Sequence, residues 1–270
     1  MNDDRPTILM CRPDFYGIEY EINPWMNIRT KADRKRAAAQ WEGLYQTILS
    51  CGAKVDLVPP ARGLPDLTFT ANAGLYFRDH LILSHFKVIE RQGEVAYYQA
   101  WFQQKGFDVI NRPGYDQSSA FFEGAGDALL AGEKLFAGYG FRTEKRFYEE
   151  ASYFEGTQIV FCELSDPYFY HIDTCFCPLN ETQAIWYPPA FTKESQKRME
   201  NEIELFAVEE AEAKRFGCNS VILKKHAVVP GGCPKLSDLL KRKGFDPRVC
   251  EVDEYIKAGG ACKCLTLAID

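Results

Sequence analysis

The chain is poor in histidine, with four in 270 residues, and poor in basic charge, with 32 Lys and Arg against 38 Asp and Glu. A net charge of −6 and the lack of basic runs argue against nucleic acid as a partner. Long apolar runs are missing as well. No stretch approaches the ~18 residues needed to cross a bilayer, so no membrane partner is expected. The first residues, Met1-Asn2-Asp3-Asp4-Arg5, are acidic and contain no apolar signal region. Ten cysteines in such a chain are therefore expected as reduced thiols in the cytoplasm. Cys175/Cys177 and Cys262/Cys264 have one-residue gaps where zinc knuckles have two, which disfavours a structural metal.

What is present is enough apolar residue, 46% of the chain, for a sizeable core, read here as a single domain over 1–270. A pattern recurs within it. Helical segments close on Gly52, Gly106, Gly156, Gly217 and Gly244, and each glycine leads directly into a strand-like run. The segments before the last four are 97–105, 144–155, 209–216 and 235–243. Further strand-like runs fall at 7–10, 74–77, 80–84, 128–130, 135–137 and 227–229. Five self-similar ββαβ units suggest an α/β propeller of five blades. An ordinary doubly wound α/β sheet is the alternative.

In a ring of blades, residues at inner strand ends converge on the axis, so distant polar clusters become candidates for one site. Cys264 follows the bend at Gly259 and Gly260 and precedes apolar Leu265, Leu267 and Ala268, read as a buried strand. A core thiol is the plain alternative. Asn23 lies in an X-Pro turn beside Trp25, and Asp66 and Asn72 lie six apart across an expected turn, strand and turn. Arg91 stands between a strand and a helix. Glu123 and Asp127 are carboxylates flanked by glycines and by aromatic and aliphatic runs, where burial and a perturbed pKa are expected. Arg142 follows Gly140-Phe141. His171 and Asp173 are expected on one face of a strand.

These residues, in this order, resemble the guanidino-group-modifying enzymes. The resemblance rests on Pro65-Asp66…Asn72, Arg91-Gln92-Gly93-Glu94, Glu123-Gly124-Ala125-Gly126-Asp127, Gly140-Phe141-Arg142, His171-Ile172-Asp173 and Gly259-Gly260…Cys264. The superfamily includes arginine deiminase, dimethylarginine dimethylaminohydrolase and the amidinotransferases, and it shares a five-bladed α/β propeller. Ile22-Asn23-Pro24-Trp25-Met26, Phe69-Thr70-Ala71-Asn72-Ala73-Gly74-Leu75 and Gly138-Tyr139-Gly140-Phe141-Arg142 are most similar to arginine dihydrolase, the catalytic domain of cyanobacterial arginine-degrading enzymes. Those enzymes carry a further C-terminal domain, which is not expected here.

The resemblance implies hydrolysis of a small guanidino substrate, L-arginine or a close relative, with no cofactor and no metal. A guanidinium carbon is a poor electrophile, so Cys264 is expected to attack as a thiolate, helped by the positive charge of the substrate. Glu123 and Asp173 would hold the guanidinium nitrogens. His171 would protonate departing ammonia and then activate water. Arg91 and Arg142 would clamp the α-carboxylate, and Asp66 would meet the α-ammonium. Asn72 stands where the deiminases and dimethylarginine hydrolases carry aspartate, and an amide has no charge preference and, at Asn72 and Asn23 together, can donate to a neutral ureido oxygen. That favours two hydrolyses, giving ornithine, carbon dioxide and two ammonia. Single hydrolysis to citrulline, amidino transfer and arginine sensing without turnover remain alternatives. A homo-oligomer is compatible with the sequence, which says nothing of assembly.

Overall fold

Four of the five expected glycine caps sit in the left-handed region that glycine enters without strain: Gly52, Gly106, Gly156 and Gly244, with φ of 87, 84, 75 and 87°. At the fifth, Phe216 rather than Gly217 takes the positive φ, 58°. The structure, a computed structural model, describes residues 5–111 and 120–270.

The first sheet begins with β1 (Thr7–Cys11), followed by helix Arg34–Ser50 and β2 (Lys54–Val58), parallel to β1. The second contains β3 (Gly74–Phe77), β4 (His80–Leu83), helix Glu94–Gln104 and β5 (Asp108–Ile110). The third contains β6 (Ala128–Ala131), β7 (Lys134–Tyr139), helix Lys145–Glu150 and β8 (Gln158–Glu163). The fourth contains β9 (Phe176–Pro178), β10 (Gln183–Trp186), helix Lys193–Glu200 and β11 (Glu204–Ala207). The fifth contains β12 (Val221–Leu223), β13 (His226–Pro230), helix Pro234–Arg242 and β14 (Asp246–Cys250). The last strand, β15 (Leu267–Ala268), returns to pair antiparallel with β1. Every sheet thus has three strands in the order inner, middle, outer, with an antiparallel first pair and a parallel second pair joined through a helix. This is the five-bladed α/β propeller of ββαβ units.

Two readings of the repeat need correction. The 209–223 unit is not a blade closure: its helix is only Glu210–Ala213, and the strand after it is the inner strand of blade five. The missing closure is helix Lys193–Glu200 into β11, whose C-cap is Asn201 in the right-handed helical region. With no glycine at that cap, the signal was absent.

The inner strands β3, β6, β9, β12 and β15 surround an axial cavity of about 300 Å³, lined mostly by apolar side chains such as Leu75, Leu129, Phe176, Ile222 and Leu267. The functional interest lies at the other end. Each turn that enters an inner strand delivers a buried polar side chain two to five residues ahead of it: Asn72, Glu123, His171, Asn219 and Cys264. These turns are short 3-10 turns or bends, not strands. Asp66 lies in one such turn (Pro65–Thr68) and Asn72 in the next (Thr70–Ala73), Asp173 lies in Ile172–Thr174, and Cys264 lies in a turn before β15. The strand expected between Asp66 and Asn72, and the one expected to carry His171 and Asp173, are therefore replaced by turns. Buried side-chain acceptors and donors compete with strand pairing at such positions.

No helix among the described residues is long and apolar enough to cross a membrane. All ten cysteines are free and buried.

Ring closure through β15 gives the first test. Leu267 is 2% exposed and packs in the core shared with β3, β6 and β7. Leu267→Ala should cost about 2–5 kcal/mol of unfolding free energy, read as a lowered urea midpoint at unchanged slope. A loss below ~1 kcal/mol would show that the ring is not held shut at this strand.

Candidate active site

Nearly all the polar side chains singled out in the sequence meet around one small cavity. It is lined by Asn23, Asp66, Asn72, Arg91, Arg142, His171 and Cys264, with Met26, Phe69 and Tyr170 among the apolar and aromatic walls. Asp173 touches the cluster through Cys264, and Glu123 through His171 and Arg142. The cavity volume is about 10 Å³, room for about one water.

Glu123 is the electrostatic centre. Its Oε2 accepts from Arg142 Nη1 at 2.9 Å and from His171 Nε2 at 2.8 Å. Burial alone would raise its pKa, but the Arg142 cation and the His171 hydrogen bond outweigh it and hold the carboxyl down at about 2. The second guanidinium nitrogen of Arg142 donates to the carbonyl of Ile22 at 2.6 Å, and its plane lies over the Tyr170 ring at 4.8 Å.

Arg91 is held differently. It forms a bidentate pair with Glu94, Nε to Oε1 and Nη2 to Oε2, both 2.8 Å. Its Nη1 donates to Asn72 Oδ1 at 2.8 Å, and Nη2 also reaches the Asp66 carbonyl at 3.3 Å. Asn72 is thereby oriented, and its Nδ2 donates to the Glu123 carbonyl at 2.9 Å. Gly126 permits this approach, because a Cβ there would collide with Asn72 Nδ2. Glu94 drew no separate role from the sequence, where it reads as an ordinary acidic residue in the first turn of a helix.

Cys264 is buried, and its thiol donates to Asp173 Oδ2 at 3.5 Å. Burial and the Asp173 carboxylate together push the thiol pKa well above its ordinary range. Asp173 is itself raised by burial, and its Oδ1 has no hydrogen-bond partner among the described residues. Asp66 is fully buried and raised by desolvation, with Arg91 opposing. Asp127 points away from the cavity, accepting from the backbone N–H of Ile172 at 3.1 Å, and burial lifts it to about 6.

Asn23 ties the rim together. Its Oδ1 accepts from Trp25 N at 2.9 Å, and its Nδ2 donates to the Ala258 carbonyl at 3.0 Å. It is a turn residue and a cavity wall at once. Gly259, at φ 84°, leaves room for Tyr170 and Asn23, and Tyr170 Oη donates to its carbonyl at 2.8 Å. Cys262 is fully buried but absent from this cavity; it packs in the core with Tyr255, Val252 and Leu265. Asn219 escaped the sequence reading because it fell inside an apparent strand. Its position ahead of an inner strand, matching Asn72 and Cys264 in neighbouring blades, was the available signal.

A family profile described as eukaryotic N,N dimethylarginine dimethylhydrolase matches residues 18–269. The chain belongs to the dimethylarginine dimethylhydrolase family. It is 45% identical over 97% of its length to the bifunctional arginine dihydrolase/ornithine cyclodeaminase ArgZ of Synechocystis, but spans only 37% of that protein. A structure of the N-terminal domain of ArgZ, an arginine dihydrolase from cyanobacteria bound to product, superposes with a TM-score of 0.93 at 44% identity, covering 99% of this chain and 98% of that one. The dimethylarginine dimethylaminohydrolase of Mycobacterium tuberculosis is 37% identical over 96% of this chain and 84% of its own length. Among the described residues no group of three or more His, Cys, Asp or Glu could hold a metal ion.

The dimethylarginine dimethylhydrolase-type cluster makes an acid-stability prediction. Glu123 has a folded pKa of about 2, below the usual value of 4.5, so its contribution is present above pH 4.5 and lost as pH falls toward 2. Between pH 5 and pH 3 the wild type should lose about 2 kcal/mol that Glu123→Gln does not lose. Urea unfolding at both pH values for both proteins measures the difference. Parallel pH profiles would show that Arg142 and His171 do not hold this carboxylate ionised.

Proposed function

We propose that the chain is a single catalytic domain over 1–270 that hydrolyses L-arginine to ornithine, carbon dioxide and two ammonia, without cofactor or metal. The observation that carries this reading is the pairing of the Cys264 thiol with Asp173, whose second oxygen is buried with no hydrogen-bond partner among the described residues. A guanidinium supplies what both groups lack: donors for the open carboxylate oxygen, and a positive charge that lowers the cost of removing the thiol proton.

The steps then follow from residue types. Glu123 and Asp173 hold the guanidinium nitrogens, so the guanidinium competes with Arg142 for Glu123. The freed Arg142, with Arg91, takes the α-carboxylate, and Asp66 takes the α-ammonium. The Cys264 thiol gives its proton to Asp173 Oδ2, which already accepts from it, the sulfur forms a bond to the guanidinium carbon, the carbon–nitrogen bond breaks, and the protonated imidazole of His171 gives its proton to the departing ammonia. Water, deprotonated by His171, adds to the thiouronium carbon, the carbon–sulfur bond breaks, and the electron pair returns to sulfur. In a second round the sulfur attacks the ureido carbon, the second ammonia leaves, water cleaves the resulting thiocarbamate, and the carbamate so formed loses carbon dioxide to leave ornithine. Asn23 and Asn72 supply amide contacts that do not require a cation. A cavity with room for about one water means that lining side chains shift on entry. The cytoplasmic setting belongs to the same reading and is supported by ten unpaired thiols.

A second reading, hydrolysis of dimethylarginine or of arginine to citrulline, is favoured by the family profile and by the mycobacterial relative. Mass spectrometry of the products from arginine and from dimethylarginine separates the two. Ornithine from arginine supports the proposal, and citrulline as the end product overturns it.

Cys264→Ser should abolish turnover, whereas Cys262→Ser, altered in the core away from the cavity, should keep most of it. The reverse pattern would move the nucleophile by two residues. Asn72→Asp should release citrulline, with an ornithine-to-citrulline ratio at least about tenfold below wild type, since ~1.4 kcal/mol of differential interaction suffices. Arg91 Nη1 would hold the new carboxylate as it holds Asn72 Oδ1, leaving acceptors where the amide had a donor. An active variant that still makes only ornithine would remove Asn72 from the control of product choice.

A further inference from the structure

Asn219 is fully buried in the turn that enters β12, and all its hydrogen-bonding groups are engaged. Its Oδ1 accepts from the backbone N–H groups of Ala261 and Cys264, both at 3.1 Å. Because those partners can only donate, the amide orientation is forced. Its Nδ2 therefore carries the donors. One goes to the Asp173 carbonyl at 3.0 Å and the other to Cys264 Sγ at 3.1 Å. The Asn219 backbone carbonyl also accepts from Lys263 N at 3.1 Å. Backbone groups on two different turns, before β9 and before β15, thus fix the amide so that its last N–H is aimed at sulfur.

We propose that Asn219 is a catalytic residue, whose side-chain N–H stabilises the Cys264 thiolate when it forms and again when it leaves the substrate carbon. This rests on Cys264 being the nucleophile. The surroundings otherwise oppose a thiolate. Burial disfavours negative charge on sulfur, and the Asp173 carboxylate beside it adds to that. Half-buried Lys263 favours it, as does the backbone of Ala261. Across the cavity stand Asp66, Arg91, Arg142 and His171. Of these groups only Asn219 places a side-chain donor on Sγ. A donor held by three other bonds needs no reorganisation when charge appears on its partner.

The alternative is that Asn219 only braces the turn, and Asn219→Asp separates the two roles. It keeps the acceptor that ties Ala261 and Cys264 together but loses both N–H donors, to sulfur and to the Asp173 carbonyl. The readout is the pH dependence of iodoacetamide alkylation without substrate, with Cys264 located by peptide mass spectrometry, so it stands whether or not arginine is the substrate. We expect the apparent thiol pKa to rise by at least one unit, alkylation at pH 8 to slow at least tenfold, and kcat to fall about a hundredfold with KM within a few-fold. Asn219→Ala should shift the thiol in the same direction. If neither variant folds, a wild-type NMR titration replaces them: the Asn219 side-chain amide should shift with the pKa of Cys264 alkylation, and not in Cys264→Ala. An unchanged thiol pKa in a folded variant, or an amide that does not follow the thiol, overturns the proposal.

Discussion

The pairing of β15 with β1 is only two residues long, yet it determines where the site is. Ile8 and Leu9 of the middle strand face Ala268 and Leu267 across it, and the turn holding Cys264 immediately precedes that pair. Until the ring closes, Cys264 sits at the far end of the chain from Asn72, Glu123 and His171. Closure also brings the Cys264 carbonyl onto the backbone N–H of Ala71 at 3.1 Å, linking the last turn to the one before β3. A long-range contact of this kind is entropically expensive to form, because most of the chain must be ordered first. The core, divided among three apolar clusters that bridge neighbouring blades, supplies the burial that offsets that cost.

Placing five turn entrances around one axis concentrates charge. Asp66, Glu94, Glu123, Asp127 and Asp173 are all buried near two arginines, Arg91 and Arg142. Each arginine has its own carboxylate, Glu94 and Glu123. Neutralised in this way, the arginines do not repel an incoming cation as bare charges would. Asp127 is occupied by the backbone of Ile172. Asp66 and Asp173 remain, both raised by desolvation, with Arg91 opposing at Asp66 and His171 at Asp173. On the proposed reading, Asp66 in the cavity wall and Asp173 beside Cys264 serve the two positively charged ends of an amino acid with a guanidinium side chain.

The blades were legible in the sequence where a helix ended on glycine, since only a left-handed cap turns a helix straight into a strand at low cost. The fourth blade has Asn201 there and so carries no such signal, and the 209–216 segment reads as a blade closure because Gly217 resembles a cap. The charged members of the site were legible because Glu123, Arg142, His171 and Asp173 are costly to place beside apolar runs without a partner. Their backbone conformation was not: turns carried by side-chain hydrogen bonds look like alternating strands in one dimension. Asn219 and Glu94 were missed for another reason. An uncharged amide within an apparent strand, and an acid at a helix start, each have an ordinary explanation, and their partners are distant in sequence or on another turn.

The same arrangement bears on how a neutral second substrate could stay bound. On the proposed reading, the reacting end of arginine loses its charge after one hydrolysis, and the attraction to Glu123 and Asp173 falls with it. What persists is contact at the amino-acid end, on Asp66 and the arginines, together with groups whose hydrogen bonding is indifferent to charge. Asn72 is one of these, and its orientation is not free: Arg91 claims its oxygen and the Glu123 carbonyl claims one N–H, leaving the second N–H of the amide as the group available to a ureido oxygen. Glu94, by fixing Arg91 with two bonds, fixes Asn72 one step removed. On the proposed reading, the distinction between one hydrolysis and two therefore depends on a chain of three buried side chains, Glu94, Arg91 and Asn72, of which the last two line the cavity.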